Sequence, residues 1–294
     1  MPPFTNIKAL IIDMDGVLWR GDQPITGLND FFDTLRKINI PFILATNNAS
    51  LTPTQYTEKF ARMGVTIQLK EILTSAMATA FHLSKQYTPK ATRVFVIGEQ
   101  GIKEPLLEKG FTLTDLNDIN DGNGIHSITG PHIVVCGLDR KVSWEKMSTA
   151  TLNINAGAAF FGTNGDTSFP MELGETLGNG AILAALTAAT SVTPTIIGKP
   201  EPIIYQQAMA ILKSKPEETI AIGDRLDTDI LGAIKSDIRS LMVLTGVSNP
   251  KDVAESPFKP TWIMDSISSI TLALTNAQPR TTHDPIFQQK QSTD

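Results

Sequence analysis

The sequence predicts an α/β protein: a parallel sheet covered by helices on both faces, with a second, smaller α/β unit interrupting it. Three observations predict this. Short apolar runs of strand length alternate with helix-like stretches along most of the chain. The runs are nearly continuous, as expected for strands buried on both faces. Each run stops at a polar or glycine-containing turn.

The first run, Ala9–Ile12, ends at Asp13. A helix is expected over residues 27–38, a strand over 42–45 ending at Thr46, and a helix over 54–63. The second unit is expected around residues 93–163. Its strands are read at 94–97, 133–136 and 158–161, and its helices at 101–109 and 143–155. Residues 115–130 are polar without an apolar period and are expected to cross the surface. The main sheet is then expected to resume. A helix at 181–189 leads to the run 195–197, which ends at Gly198-Lys199. A helix at 202–212 leads to the run 220–222, which ends at Gly223-Asp224. A helix at 227–236 leads to the run 241–244, which ends at Thr245-Gly246. Residues 276–294 are polar and aperiodic and are expected to form a poorly ordered tail.

Composition narrows the function classes. The 294 residues are 41% hydrophobic and 19% charged, enough to bury a core of ordinary size. The net charge is 25 − 30 = −5, so there is no basic excess for a nucleic-acid backbone. The N-terminus lacks a signal-peptide pattern, and no apolar run approaches the ~18 residues of a membrane span. A single cysteine, Cys136, excludes an internal disulfide and fits a reducing, cytoplasmic compartment.

Ligands of open parallel sheets bind beyond the carboxyl ends of the strands. Four strand ends here carry Asp13-Met14-Asp15-Gly16-Val17, Thr46-Asn47-Asn48, Gly198-Lys199-Pro200 and Gly223-Asp224-Arg225-Leu226-Asp227-Thr228-Asp229. Clustered carboxylates repel one another and require a counter-charge. A hard divalent cation supplies it, and Mg²⁺ takes one or two carboxylates while phosphate oxygens and waters complete its shell. Asp13 and Asp224 are the leading ligand candidates, with the backbone carbonyl of Asp15 as a third oxygen. Asp229 is read either as a residue behind the metal or as part of a helix surface. Lys199 is placed to balance phosphate charge. Asp13 can also attack phosphorus, and Asp15 can protonate the leaving group. Trp19 is read as lining the entrance or as core packing.

These four segments resemble the four signature motifs of the haloacid dehalogenase-like superfamily, in order. The gap of roughly 150 residues between Asn48 and Lys199 resembles the position at which its NagD-like, 4-nitrophenylphosphatase-like subfamily inserts a class II cap. Thr163-Asn164-Gly165-Asp166-Thr167 and Gly178-Asn179-Gly180 are similar to that subfamily as well. The resemblance implies a Rossmann-like, doubly wound core of residues 1–80 and 178–275, with an α/β cap of residues 81–177. It implies Mg²⁺-dependent hydrolysis of phosphate monoesters through an aspartyl-phosphate. Asp13 would be the nucleophile and Asp15 the acid/base. Thr46, Asn47 and Asn48 would contact the phosphoryl group, Lys199 would neutralise it, and Asp224 would bind the metal.

The partner implied is a small phosphorylated metabolite, with neither nucleic acid nor membrane, and a homodimer through the cap is open. Residues 163–170 are expected to choose the substrate, through Asp166 and Phe169 above all. Two other readings keep the fold. A dehalogenase does not need Asp15, and the cap placement disfavours a phosphomutase. A non-catalytic phosphometabolite-binding regulator has no use for the full set of Asp13, Asp15, Lys199 and Asp224.

Overall fold

The structure is a computed structural model, and it describes residues 4–120, 130–171 and 174–277. The expected tail lies, from residue 278 on, outside the described residues, as does most of the polar segment at 121–129.

The chain opens with β1 (Ala9–Ile12), a small hairpin of β2 (Trp19–Arg20) and β3 (Gln23–Pro24), and α1 (Leu28–Lys37). It continues through β4 (Phe42–Thr46), α2 (Pro53–Arg62), β5 (Ile72–Thr74) and α3 (Ser75–Gln86). Helix α2 starts at a capping box, in which Thr52 and Gln55 satisfy each other's backbone N–H, with Pro53 next in line. The second unit carries β6 (Arg93–Ile97), α4 (Gln100–Glu108), β7 (Thr112–Leu113), β8 (Ile133–Cys136), α5 (Trp144–Asn155) and β9 (Ala159–Gly162). A hairpin of β10 (Ser168–Met171) and β11 (Gly174–Leu177), α6 (Asn179–Thr190) and β12 (Thr195–Ile196) follow. The last stretch is α7 (Pro202–Leu212), β13 (Thr219–Gly223), α8 (Leu231–Lys235), β14 (Arg239–Val243), α9 (Pro250–Glu255), β15 (Trp262–Met264) and α10 (Ile267–Ala277).

The main sheet is six-stranded and parallel, in the order β15-β14-β13-β1-β4-β5. Successive side chains of β1 leave on opposite faces. Leu10 and Ile12 join Phe31, Phe32 and Leu35 of α1 and Ile267, Ile270 and Leu274 of α10. Ile11 joins Ala76, Ala80 and Leu83 of α3 and Ile204, Tyr205 and Ala208 of α7. Helices therefore cover both faces, the doubly wound arrangement. The second sheet runs β12-β9-β8-β6-β7, all parallel. One face shares the α3 cluster through Val94, Val96, Ile133 and Val135. The other packs Phe95, Val134 and Phe160 against α5 and α6.

One strand differs from the sequence expectation. The alternation of strands and helices places the run 195–197 in the main sheet, but β12 pairs in parallel with β9, Thr195 opposite Phe161 and Ile196 opposite Gly162. Helix α6 likewise packs on α5, β8 and β10. A strand of only two residues carries no pattern that names its neighbour, and the sheet edge beside β9 was free to accept it. The chain regains the main sheet's ligand edge directly afterwards, at Gly198-Lys199.

Candidate active site

Register sets the site. Ile12 lies opposite both Ile222 and Leu44, so the ends of β1, β13 and β4 fall side by side. Asp13, Asp224 and Thr46 are thereby brought to one edge. Asp13 is fixed by its backbone N–H, which donates to Ile222 O at 2.8 Å.

Lys199 sits at the centre of the cluster. Its Nζ donates to Asp13 Oδ1 at 2.5 Å, to Asp229 Oδ1 at 2.7 Å and to Ala45 O at 3.1 Å, and the residue is buried. Burial works against the Lys199 charge, yet Asp13 and Asp229 hold its pKa well above the ordinary lysine value. Asn47 holds the Lys199 backbone from both sides. Its Oδ1 accepts from Lys199 N and its Nδ2 donates to Lys199 O, each at 2.8 Å. The peptide that joins Lys199 to Pro200 is cis.

Carboxylate oxygens of Asp13, Asp224 and Asp229 all lie within 4.8 Å of one another, and all three residues are buried. Burial raises the Asp13 carboxyl well above its ordinary range, with Lys199 opposing and Asp229 and Asp224 adding to the rise. Burial, reinforced by Asp229, pushes Asp224 up to about 7. One lysine thus faces three carboxylates. Asp224 Oδ2 accepts from Val247 N at 2.7 Å, whereas its Oδ1 is buried without a hydrogen-bond partner among the described residues. An orphaned carboxylate oxygen of this kind needs a cation or an ordered water. The donor set is all oxygen, buried and excessively negative, which fits a hard divalent cation.

Asp229 is buried rather than exposed on a helix surface, and its carboxylate lies beside those of Asp13 and Asp224. A π-helical turn, Leu226–Ile230, brings it back toward Lys199, and Arg225 N donates to its Oδ2 at 3.2 Å. The Asp15 carboxylate is exposed and is not one of the three clustered carboxylates. It accepts from Trp19 Nε1 at 2.7 Å. Thr46 is buried, and its Oγ1 accepts from Asn48 N. Asn48 Oδ1 accepts from both the backbone and the hydroxyl of Ser50.

Asp166 reaches this edge from the second unit. Its Oδ2 accepts from Asn47 Nδ2 at 3.1 Å and from Asn164 Nδ2 at 2.7 Å. Asn179 supports the loop by donating to Asn164 O and Cys136 O. The backbone of Phe169 lies in β10, opposite Thr176, and its side chain lies outside the described residues. A cavity of about 800 Å³ spans the site. It is lined by Asp13, Asp15, Thr46, Asn47, Lys199 and Asp224 below, and by Arg140, Asn164, Asp166 and Ser168 of the second unit above. Sequence reasoning missed Arg140, a polar residue in a connecting loop, and it missed the bond from Trp19 to Asp15.

Known proteins align with these features. Family models described as haloacid dehalogenase-like hydrolase and HAD-hydrolase-like match residues 10–112 and 196–270. An acid sugar phosphatase from Staphylococcus saprophyticus is 37% identical over 265 residues, covering 90% of this chain and 97% of that protein. This chain belongs to the haloacid dehalogenase-like hydrolases. The 5'-nucleotidase YutF from Bacillus subtilis is 36% identical over 261 residues, or 89% of this chain and 96% of its own length. The crystal structure of a 4-nitrophenylphosphatase from Thermotoga maritima superposes with a TM-score of 0.82 at 28% identity, covering 92% of this chain and 98% of that one. Among the described residues of this haloacid dehalogenase-like hydrolase, no helix is long and apolar enough to cross a membrane.

Proposed function

We propose that this phosphatase works through a covalent phosphoryl-aspartate on Asp13. The chain is a phosphoric monoester hydrolase, as similarity to the acid sugar phosphatase and the 4-nitrophenylphosphatase supports. The observation that carries the mechanism is the placement of Lys199 between Asp13 and Asp229, with the Asp15 carboxyl beside them on the same cavity.

An Asp13 carboxylate oxygen attacks phosphorus, and the bond from phosphorus to the ester oxygen breaks. That oxygen takes a proton from Asp15 as it leaves. Asp15, now a carboxylate, then takes a proton from water while the water oxygen attacks phosphorus. The Asp13–phosphorus bond breaks, and inorganic phosphate and free Asp13 result. Lys199, Thr46 and Asn47 bind the phosphoryl oxygens, and Lys199 keeps the nucleophile aimed. Mg²⁺, held by Asp13, Asp224 and the Asp15 carbonyl with Asp229 behind, would offset the phosphoryl charge.

The substrate class is a small phosphorylated metabolite. Sugar phosphates and nucleoside monophosphates lead, given the names of the two relatives and a cavity larger than a phosphate needs. The second unit acts as a cap over the leaving group, with Asp166 and Phe169 in its substrate loop. Homodimerisation through that cap and a cytoplasmic location complete the proposal. The test is acid-quenched turnover of 4-nitrophenyl phosphate with Mg²⁺. Asp15→Asn should accumulate a phosphoryl adduct that mass spectrometry locates on Asp13. Full turnover by Asp13→Asn with no adduct in any variant overturns the mechanism.

A further inference from the structure

Trp19 is an unusual neighbour for an exposed carboxylate. Its side chain has no solvent exposure, whereas Asp15, which it touches, is exposed. The indole is fixed on several sides. Lys59 Nζ lies 4.5 Å from its ring centroid, the Phe60 ring meets it edge-on at 4.9 Å, and Tyr56 stacks at 6.5 Å. Its backbone is fixed too. Trp19 O accepts from Gly16 N at 2.8 Å, Asp15 bridges to Trp19, and Trp19 pairs with Pro24 in the hairpin. A buried indole N–H requires an acceptor, and here that acceptor is Asp15 Oδ1 at 2.7 Å.

We propose that Trp19 is a positioning residue for Asp15, its rigid indole N–H holding one carboxyl oxygen so that the other meets the leaving group. The inference rests on the acid/base reading of Asp15. An exposed aspartate otherwise samples several rotamers, and proton transfer requires a donor within hydrogen-bond reach of the departing oxygen. Trp19 removes that freedom before substrate arrives, and the hydrogen bond is charge-assisted whenever Asp15 is ionised. The α2 residues Tyr56, Lys59 and Phe60 hold the indole, so the acid is aimed through a helix that lies outside the cluster of Asp13, Asp224 and Asp229.

The experiment uses the full chain with two replacements. Trp19→Phe removes the N–H, and site-specific benzothienylalanine at position 19 replaces it with sulfur at nearly constant shape. The readout is kcat/KM across aryl phosphates of graded leaving-group basicity and one alkyl phosphate, in the wild-type and Asp15→Asn backgrounds. Both replacements should lose roughly tenfold on the alkyl phosphate, part of the ~10²–10⁴-fold that general acid catalysis supplies. They should lose little on 4-nitrophenyl phosphate, and nothing further once Asp15 is Asn. A loss equal across leaving groups, or undiminished in the Asp15→Asn background, overturns the proposal. The sulfur isostere keeps the proposal open to that refutation if Trp19→Phe folds poorly. If Asp15→Asn itself shows no dependence on the leaving group, the acid/base reading falls and this inference with it. If Asp15→Asn shows that dependence and neither Trp19 replacement does, only this inference falls.

Discussion

Asn47 Nδ2 donates to Asp166 Oδ2 at 3.1 Å, across 119 residues of sequence and across the boundary between the two sheets. The same amide group clasps Lys199 O, so one side chain joins the loop that carries Asp166, the β4 terminus and the central lysine. A loop expected to select substrates is thus fastened to the residues expected to bind phosphate.

The first prediction concerns this link. Asp166→Ala frees Asn47 and Asn164 from a shared acceptor and should disturb the site that every substrate uses. We expect kcat to fall about tenfold on all substrates, 4-nitrophenyl phosphate included, or ~1.4 kcal/mol of transition-state stabilisation. A metabolite panel checks this. A change in substrate ranking that spares 4-nitrophenyl phosphate would instead make Asp166 a selector.

Much of this was legible because the main strands are continuous apolar runs that stop at chemistry. β1, β4, β13 and β14 each announce themselves, and Asp13, Thr46 and Asp224 stand at the ends of three of them. What was not legible depends on long-range pairing or on local backbone departures. β5 and β15, three residues each, are too short to stand out, and β12 gives no sign of its sheet. Asp229 meets Lys199 from within a π-helical turn, Leu226–Ile230, a local backbone departure that no residue pattern marks. All four residues of β11 are exposed, so that strand has no buried face to leave an apolar pattern.

Asp13→Asn should abolish turnover while leaving the fold intact. Lys199 keeps Asp229 as an ionic partner, so no buried charge is stranded. The loss expected is roughly 10³-fold or more, as for nucleophiles removed from other covalent enzymes. Stopped-flow kinetics with thermal melting alongside separates loss of chemistry from loss of structure.

Asp224→Asn tests the metal site without an activity assay. Removing one of three crowded carboxylates relieves repulsion, so the metal-free variant should melt no lower than wild type. Wild type should gain about 2.7 kcal/mol from Mg²⁺ at a hundredfold excess over Kd, or roughly 5–10 °C in Tm. The variant should lose most of that gain. An undiminished Mg²⁺-dependent rise would remove Asp224 from the cation's ligands.

Cys136 offers a probe of global opening. It is buried beside Asn179, and burial pushes its thiol far above the ordinary cysteine value. The thiolate is the reactive form, so native protein should react negligibly with a thiol reagent at pH 8. Denaturant should release one thiol per chain. Rapid reaction in native buffer would show that α6 opens away from β8 without global unfolding.

The glycines around Asp224 make the last prediction. A Cβ at Gly246 would fall 1.8 Å from Asp224 Oδ2, and one at Gly16 would fall 2.5 Å from the same atom. Gly16 also sits at φ +82, where a side chain adds backbone strain of roughly 1–2 kcal/mol. Either alanine would press on the Asp224 carboxylate, which is itself buried and is the nearest group to the added Cβ at both positions. Gly246→Ala should therefore mimic Asp224→Asn, keeping the fold and losing the Mg²⁺-dependent rise in Tm. Gly16→Ala should lose the same rise and lower the metal-free Tm as well. Gly21 supplies the control: its φ is +58, yet nothing lies within 4 Å of a Cβ built there. Gly21→Ala should lower Tm through strain alone, with the Mg²⁺ response and kcat intact. Were Gly246→Ala to bind Mg²⁺ as wild type does, the Asp224 carboxylate would not need the position it holds, and its assignment to the cation would fail.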